Sequence, residues 1–577
     1  MASMRVWAPL ARRVRAIVDG HTVDLIAEAD GWWQGPRPAP GSDYAFVLDD
    51  SAEAIPDPAS RWQPSGVHGP SRAYDQSAYA WHDESWRGRA LAHAVIYELH
   101  IGTFTPGATF DSAVERLDHL VDLGITHVEL LPVNAVNGVW NWGYDGVGWY
   151  AVHEPYGGPD GLKRFVDACH ARGLAVVLDV VYNHLGPSGN YLPRFGPYLK
   201  PGRSTWGDLV NLEEPAVRQF VLDNALMWLR DYHLDALRLD AVHALHDSSP
   251  THVLTAMSAE VEALARSLDR PLSLIAESDL NDPVVITPRP DGYGLDAQWD
   301  DDVHHALHSL LTGEQQGYYC DFGSIATLAK VLTSAFLHDG TYSTFRGRYH
   351  GTPVDRVRTP GWRFVVCLQN HDQVGNRAVG ERMTELTSPE LLRVGAVLLL
   401  TSPFTPLLWM GEEWAASTRW PFFTSHPEPE LAEATAKGRL AEFAGHGWDV
   451  EQMIDPQDPA AYRSAVLDWD EPRSPAHAAM VTLYRTLIAL RAAEPDLRDS
   501  DLTRVVVDFD ENARWLVVHR GALRVVVNLS AGEQVVPATA GEIVLSTGTA
   551  VAIDDGVLLS AESVAVVRTD AAVAGTD

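Results

Sequence analysis

Residues 235–244 read DALRLDAVHA. A short apolar run, Ala236, Leu237 and Leu239, carries Arg238 and Asp240 and stops at Ala241, Val242 and His243. Side chains two apart on a strand share a face, so the guanidinium and the carboxylate stand together. The cation keeps the acid ionised near neutral pH. An ionised Asp held at a strand end suits attack on an electrophilic carbon, although the same pair also serves as a structural closure of a strand. The flanking segments decide between the two.

Working upstream, the strand-like runs are VIYEL (95–99), THVELLPV (126–133) and AVVLDVV (175–181). Between them lie amphipathic helices over 112–123, 160–172 and 214–232. The first carries a capping-box pattern, Ser112 with Glu115, and Gly124 at its far end; Gly173 caps the second. Downstream, a helix over 251–268 leads to LSLIAES (272–278), then a weak run at 296–299, RFVVCLQN (363–370) and TPLLWMG (405–411). Strand and helix alternating in this way mean parallel strands buried on both faces. About eight of them predict a closed (β/α)₈ TIM barrel within residues 91–497, the catalytic unit of an α/β protein. A doubly wound open sheet is the runner-up, without the GxGxxG or GxxxxGK[ST] string that its nucleotide-binding versions carry. Residues 394–411 are uncharged and mostly apolar, but Pro403, Pro406 and the embedded Thr and Ser favour a buried strand with its approaches over a membrane span.

A chain of 577 residues is too long for one core. Residues 1–90 have short β-rich runs split by Pro and Gly, predicting an N-terminal β-sandwich of Ig-like or carbohydrate-binding type. Residues 498–577 predict a C-terminal antiparallel β domain with a frayed tail after Thr569. The net charge of −33 argues against nucleic acid or an anionic membrane as partner and fits a neutral substrate. Nineteen Trp and 18 Tyr supply flat amphipathic faces that suit sugars. Cys169, Cys320 and Cys367 are few and far apart, as in a reduced cytoplasmic protein, and the first 20 residues lack the apolar core of a secretory signal.

In a TIM barrel the active site lies at the C-terminal ends of the strands. The polar residues there are Asp179, Asn183 and His184, then Arg238, Asp240 and His243, then Glu277, then His371 and Asp372. Carboxylates crowded on an apolar barrel raise the pKa of at least one of them. Glu277 follows LSLIA with no cation within two residues, so it is expected to hold the proton while Asp240, beside Arg238, stays charged. One protonated acid and one carboxylate are what glycosidic cleavage requires. His304, His305 and His308 lie on a helical pattern and are read as structural, in the absence of a matching third metal ligand.

DVVYNH (179–184), LRLDAVH (237–243), AES (276–278) and QNHDQ (369–373) resemble, in order and spacing, the four signature stretches of the alpha-amylase superfamily. YELHIGTFT (97–105), WGYDGV (142–147), IAESDLNDP (275–283), DAQWDDDVHHALH (296–308), GEQQGYYCDFG (313–323) and QNHDQVGNR (369–377) narrow the resemblance to one branch of it. That branch cuts the α-1,4 bond next to the terminal trehalose of maltooligosyltrehalose, with retention, releasing trehalose and a shorter maltooligosaccharide. The resemblance implies Asp240 as nucleophile, Glu277 as general acid and then base, and Asp372 as holder of sugar hydroxyls. It implies Arg238 as the group orienting Asp240, His184 and His371 on the sugar before the scissile bond, Tyr144 stacked beneath it, and His243 on the leaving side. It implies no metal and no cofactor. A bent trehalose needs a closed pocket, for which Trp206, Asp279, Asn281 and Asp282 are the candidates, with Trp299 or Glu412 as further contributors. Rival readings are a glycogen branching enzyme, an isoamylase-type debranching enzyme, and a catalytically silent glycan-binding protein.

Overall fold

In the computed structural model, which describes residues 3–446 and 454–569, eight short runs form one closed parallel barrel. They are β1 (Ile96–Leu99), β2 (His127–Leu130), β3 (Ala175–Val180), β4 (Ala236–Leu239), β5 (Ser273–Ala276), β6 (Ala297–Trp299), β7 (Phe364–Cys367) and β8 (Thr405–Trp409). Each strand pairs with its chain neighbours and β8 pairs with β1, which excludes the open doubly wound sheet. Alternation sorts the side chains. Ile96, Val177, Ala236, Ile275, Val365 and Leu407 pack together inside the barrel, while Val176, Leu178, Leu237 and Leu239 join the larger core. Two residues further along, the inward face carries Glu98, Asp179, Arg238 and Glu277. An apolar floor therefore sits beneath a charged layer at the mouth.

The expected helix over 112–123 is two pieces, Phe110–Val114 and Leu117–Leu123. Its cap is Thr109 rather than Ser112: Ser112 sits at the third helical position and reaches back to the Thr109 N–H, and Glu115 ends the first piece. The capping box is thus present one turn earlier than the Ser/Glu spacing suggested. Gly124, at φ +95°, closes the second piece. The apolar stretch 394–411 divides into helix Pro389–Thr401 and strand β8, both buried. Among the described residues no helix is long and apolar enough to cross a membrane.

Ahead of the barrel, strands Ser3–Trp7, Trp32–Pro36 and Ile26–Ala27 form one antiparallel sheet; His21–Asp24, Val14–Val18, Asp43–Leu48 and Ser71–Arg72 form another. After it, residues 506–568 build a five-stranded and a three-stranded antiparallel sheet. The tail beyond Thr569 lies outside the described residues. Arg520, on the strand Trp515–Arg520, donates to the carbonyls of Thr401, Asp496 and Leu497, satisfying helix-end acceptors that have no partner within their helices.

The segment between the leading sheets and β1 is tied to the barrel floor by a buried charge cluster. His170 lies 2.8 Å from Asp83 and 3.0 Å from Asp235, stacked on Trp86, whose indole N–H donates to Asp235 at 2.8 Å. Burial opposes ionisation in all three titratable groups, but their mutual hydrogen bonds, joined by His233 on Asp83 and by Arg270 and Trp86 on Asp235, outweigh it: His170 is raised, and Asp83 and Asp235 are lowered. The imidazolium contribution is then complete below about pH 6.5 and fades as pH climbs through the raised value, while that of the acids is lost below about pH 4. Replacing His170 with Leu is expected to cost about 1.5–3 kcal/mol at pH 6, because Asp83 and Asp235 each lose a charge-assisted hydrogen bond while keeping His233 and Arg270 respectively, and less at pH 9. Urea titrations at the two pH values check this; an equal loss at both would contradict the charged assignment.

Candidate active site

The ladder between β3, β4 and β5 continues one step past the strand ends. Asp240 N–H donates to Val180 O at 3.0 Å, and Glu277 N–H to Leu239 O at 2.9 Å. The two acids are thus fixed by backbone before any side-chain contact is counted. Ala241 then turns into the left-handed region at φ 41°, unusual for a residue with a Cβ. Its N–H donates to Glu277 Oε2 at 2.5 Å.

Arg238 is the hub. Its Nη1 lies 2.9 and 2.8 Å from the two Asp179 oxygens and 2.7 Å from Asp240 Oδ1, and its Nη2 lies 3.9 Å from Glu277 Oε2. The guanidinium carbon sits 4.4 Å over the Trp299 ring. Asn183 donates to the other Asp240 oxygen at 2.8 Å, so both oxygens of that carboxylate accept charge-stabilising bonds. Burial pushes the Glu277 carboxyl up to about 8 against the pull of Arg238, with the Asp240 charge adding to the rise. At neutral pH Glu277 therefore keeps its proton.

These groups open onto a cavity of about 380 Å³ lined by Tyr144, His184, Trp206, Arg238, Asp240, Glu277, His371 and Asp372, together with Trp142, Asn376, Phe422 and Arg439. Tyr144 Oη donates to Asp179 at 2.6 Å, and its ring lies against that of His371. Asp372 is exposed, at the start of the short helix His371–Gly375, and accepts from Asn376 at 2.6 Å. His184 lines the cavity with Nε2 2.9 Å from the Tyr144 carbonyl and Nδ1 2.5 Å from Asn183 Oδ1, so it braces the amide that serves Asp240. Trp206, 48% exposed, stands on the turn between strands Leu199–Arg203 and Asp208–Val210 and also walls a second cavity with Asp145, Arg203 and Asp208.

A model of the alpha amylase catalytic domain matches residues 107–195, and a domain of unknown function, DUF3459, matches residues 500–566. The malto-oligosyltrehalose trehalohydrolase of Arthrobacter ramosus is 54% identical over 574 residues, covering 98% of this chain and 99% of its own. The chain belongs to the malto-oligosyltrehalose trehalohydrolase family. A crystal structure described as an alpha amylase from Salmonella typhimurium superposes with a TM-score of 0.90 at 37% identity, covering 98% of this chain and 97% of that one. The 1,4-alpha-glucan branching enzyme of Shewanella baltica is 31% identical over only 42% of this chain. Membership of the trehalohydrolase family therefore carries the whole length, and likeness to a branching enzyme only part of it.

Within this trehalohydrolase-family fold, the residues expected to shape a trehalose pocket do not all converge. His243 is half-buried beside the cavity, 5.8 Å from the Trp206 ring centre, and its Nδ1 accepts from the Asp279 N–H at 3.3 Å. Asp279 is exposed and paired with Arg346. Asn281 is 7% exposed, at φ 48°, and its amide is spent on Asp302 and the His338 carbonyl. Asp282 caps the short helix Pro283–Val285 through the Val284 N–H. Neither Asn281 nor Asp282 lines the cavity, because buried long-range hydrogen bonds consume the first side chain and a local helix cap the second. Trp299 and Glu412 are likewise buried behind it, the latter bonded by Tyr484. His304 contacts the Leu368 carbonyl and Tyr319, His308 contacts Glu314, and His305 stacks on Tyr318. Sequence reading missed Phe422 and Arg439 as lining groups and Glu98 beneath His371. Of these only Glu98 carried a signal, as the inward residue at the end of β1.

Proposed function

We propose that the chain hydrolyses the α-1,4 bond adjacent to the terminal trehalose of maltooligosyltrehalose, with retention, releasing trehalose and a maltooligosaccharide. The observation that carries the reading is the pair of acids: Asp240 gripped by Arg238 and Asn183, and Glu277 holding its proton at neutral pH within reach of the same guanidinium. Asp240 attacks the anomeric carbon while Glu277 gives its proton to the departing sugar oxygen, leaving a glycosyl ester on Asp240 and an anionic Glu277. Glu277 then takes a proton from water, whose oxygen attacks the same carbon and frees Asp240. Two displacements restore the starting configuration. Asp372 is placed to hold sugar hydroxyls at the mouth, Tyr144 to stack under the ring, and His184 and His371 to flank it. Trp206, with His243 and Asp279 behind it, borders the leaving side. Nothing in this sequence of steps draws on a metal or a cofactor.

Incubating the protein with maltooligosyltrehalose and separating the products tests the reading. Free trehalose, with the new reducing end appearing first as the α-anomer by NMR, is the expected result. New α-1,6 branches, debranched chains, or binding without turnover would each overturn it.

A further inference from the structure

Glu98 points from the end of β1 into the barrel and is 1% exposed. One of its oxygens lies 2.5 Å from His371 Nδ1, and the other accepts from the His371 backbone N–H at 3.1 Å. A single buried carboxyl thus grips His371 at both ring and main chain. On the far side of the ring, Nε2 lies 2.8 Å from Tyr144 Oη. Tyr144 has one hydroxyl proton and gives it to Asp179, so the Nε2 contact requires the imidazole to be the donor. His371 therefore carries a proton on Nε2, and its Nδ1 shares one proton with Glu98.

Burial, set against the titratable and charged groups around Glu98, fixes where that shared proton rests. Glu129 stands opposite on β2, equally buried; Arg238 faces it from β4; and Asp372 follows His371. Burial pushes Glu98 up to about 8 against the opposing pull of the His371 N–H and of Arg238, with Asp372 adding to the rise, and burial pulls His371 down to about 4. Both effects keep the proton on the carboxyl.

We propose that Glu98 is a positioning residue for glycosidic cleavage: as a carboxylic acid it donates to Nδ1 of His371, fixes the Nε2–H tautomer, and holds that N–H towards Tyr144 and the sugar-binding cavity. It touches no substrate itself and acts through His371. The inference rests on the reading of the cavity as the site of glycosidic cleavage. Glu98→Gln offers an amide N–H of the same reach in place of the acid, whereas Glu98→Leu removes the donor at similar volume.

The test measures kcat and KM for trehalose release by the full chain, alongside melting temperatures. Glu98→Gln is expected to keep kcat within about threefold of wild type. Glu98→Leu is expected to lose about 100-fold in kcat with KM shifted less than about threefold, because the misplaced group matters most as the sugar distorts. In wild type, both Glu98 and Glu277 must be protonated, so log kcat falls with a slope near −2 on the alkaline side; in Glu98→Gln that slope becomes −1. Full kcat in a folded Glu98→Leu, a dead Glu98→Gln, or an unaltered alkaline slope in Glu98→Gln would each overturn the inference. If Glu98→Leu does not fold, the glutamine variant's rate and slope decide alone. Wild type that releases no trehalose would instead overturn the reading of the site.

Discussion

Asp240→Asn is expected to lower kcat for trehalose release by roughly 10⁴-fold or more, with substrate binding changed less than about tenfold. The amide keeps the size of the carboxylate but has no charge with which to form the glycosyl ester. It also leaves Arg238 with one anionic partner fewer at 2.7 Å. Steady-state rates combined with calorimetric titration of the variant separate the two quantities. A residual rate above roughly a hundredth of wild type would remove Asp240 from the nucleophile's role.

Glu277→Gln is expected to cost roughly 10³-fold with the natural glycan, the usual worth of a positioned general acid. A glycosyl fluoride needs no proton to depart, so the first displacement should survive in this variant, and azide, which needs no base, should restore turnover as the α-glycosyl azide. The pH profile gives a second readout. A carboxyl raised to about 8 works as an acid below that value and is lost as pH climbs through it. The wild-type alkaline limb should therefore fall near pH 8, and in Glu277→Gln the part due to this group should vanish. A limb still governed by Glu277 after its replacement is impossible, so an unchanged profile would assign the ionisation elsewhere.

The barrel was legible because its strands are buried on both faces and read as unbroken apolar runs, each delivering polar residues at its end. Arg238, Asp240 and Glu277 were legible for the same reason: the two-residue alternation that puts Ala236 and Ile275 inside puts Arg238 and Glu277 inside with them. The pocket's rim was not. Asn281 and Asp282 have the composition of a sugar-binding loop, but a helix cap takes the Asp282 side chain, and the Asn281 amide goes to Asp302 and the His338 carbonyl, partners too distant in the chain for a local pattern to reveal. Phe422 and Arg439 arrive from segments beyond β8, where no periodicity links them to the strand ends. Glu98 was missed although it stands in the apolar run of β1; its hold on His371 depends on β1 and β7 being brought together across β8, which no local pattern encodes.

The cluster joining His170 to Asp83 and Trp86 bears on where this molecule can be cut. Truncation at residue 91 would leave Asp235 without the indole donor and His170 without its second acid, both sealed in the barrel floor. A shortened protein meant to fold as the isolated cylinder should therefore retain the stretch from about Asp83 onward. The strap leading into the first stave belongs, energetically, to the cylinder it precedes.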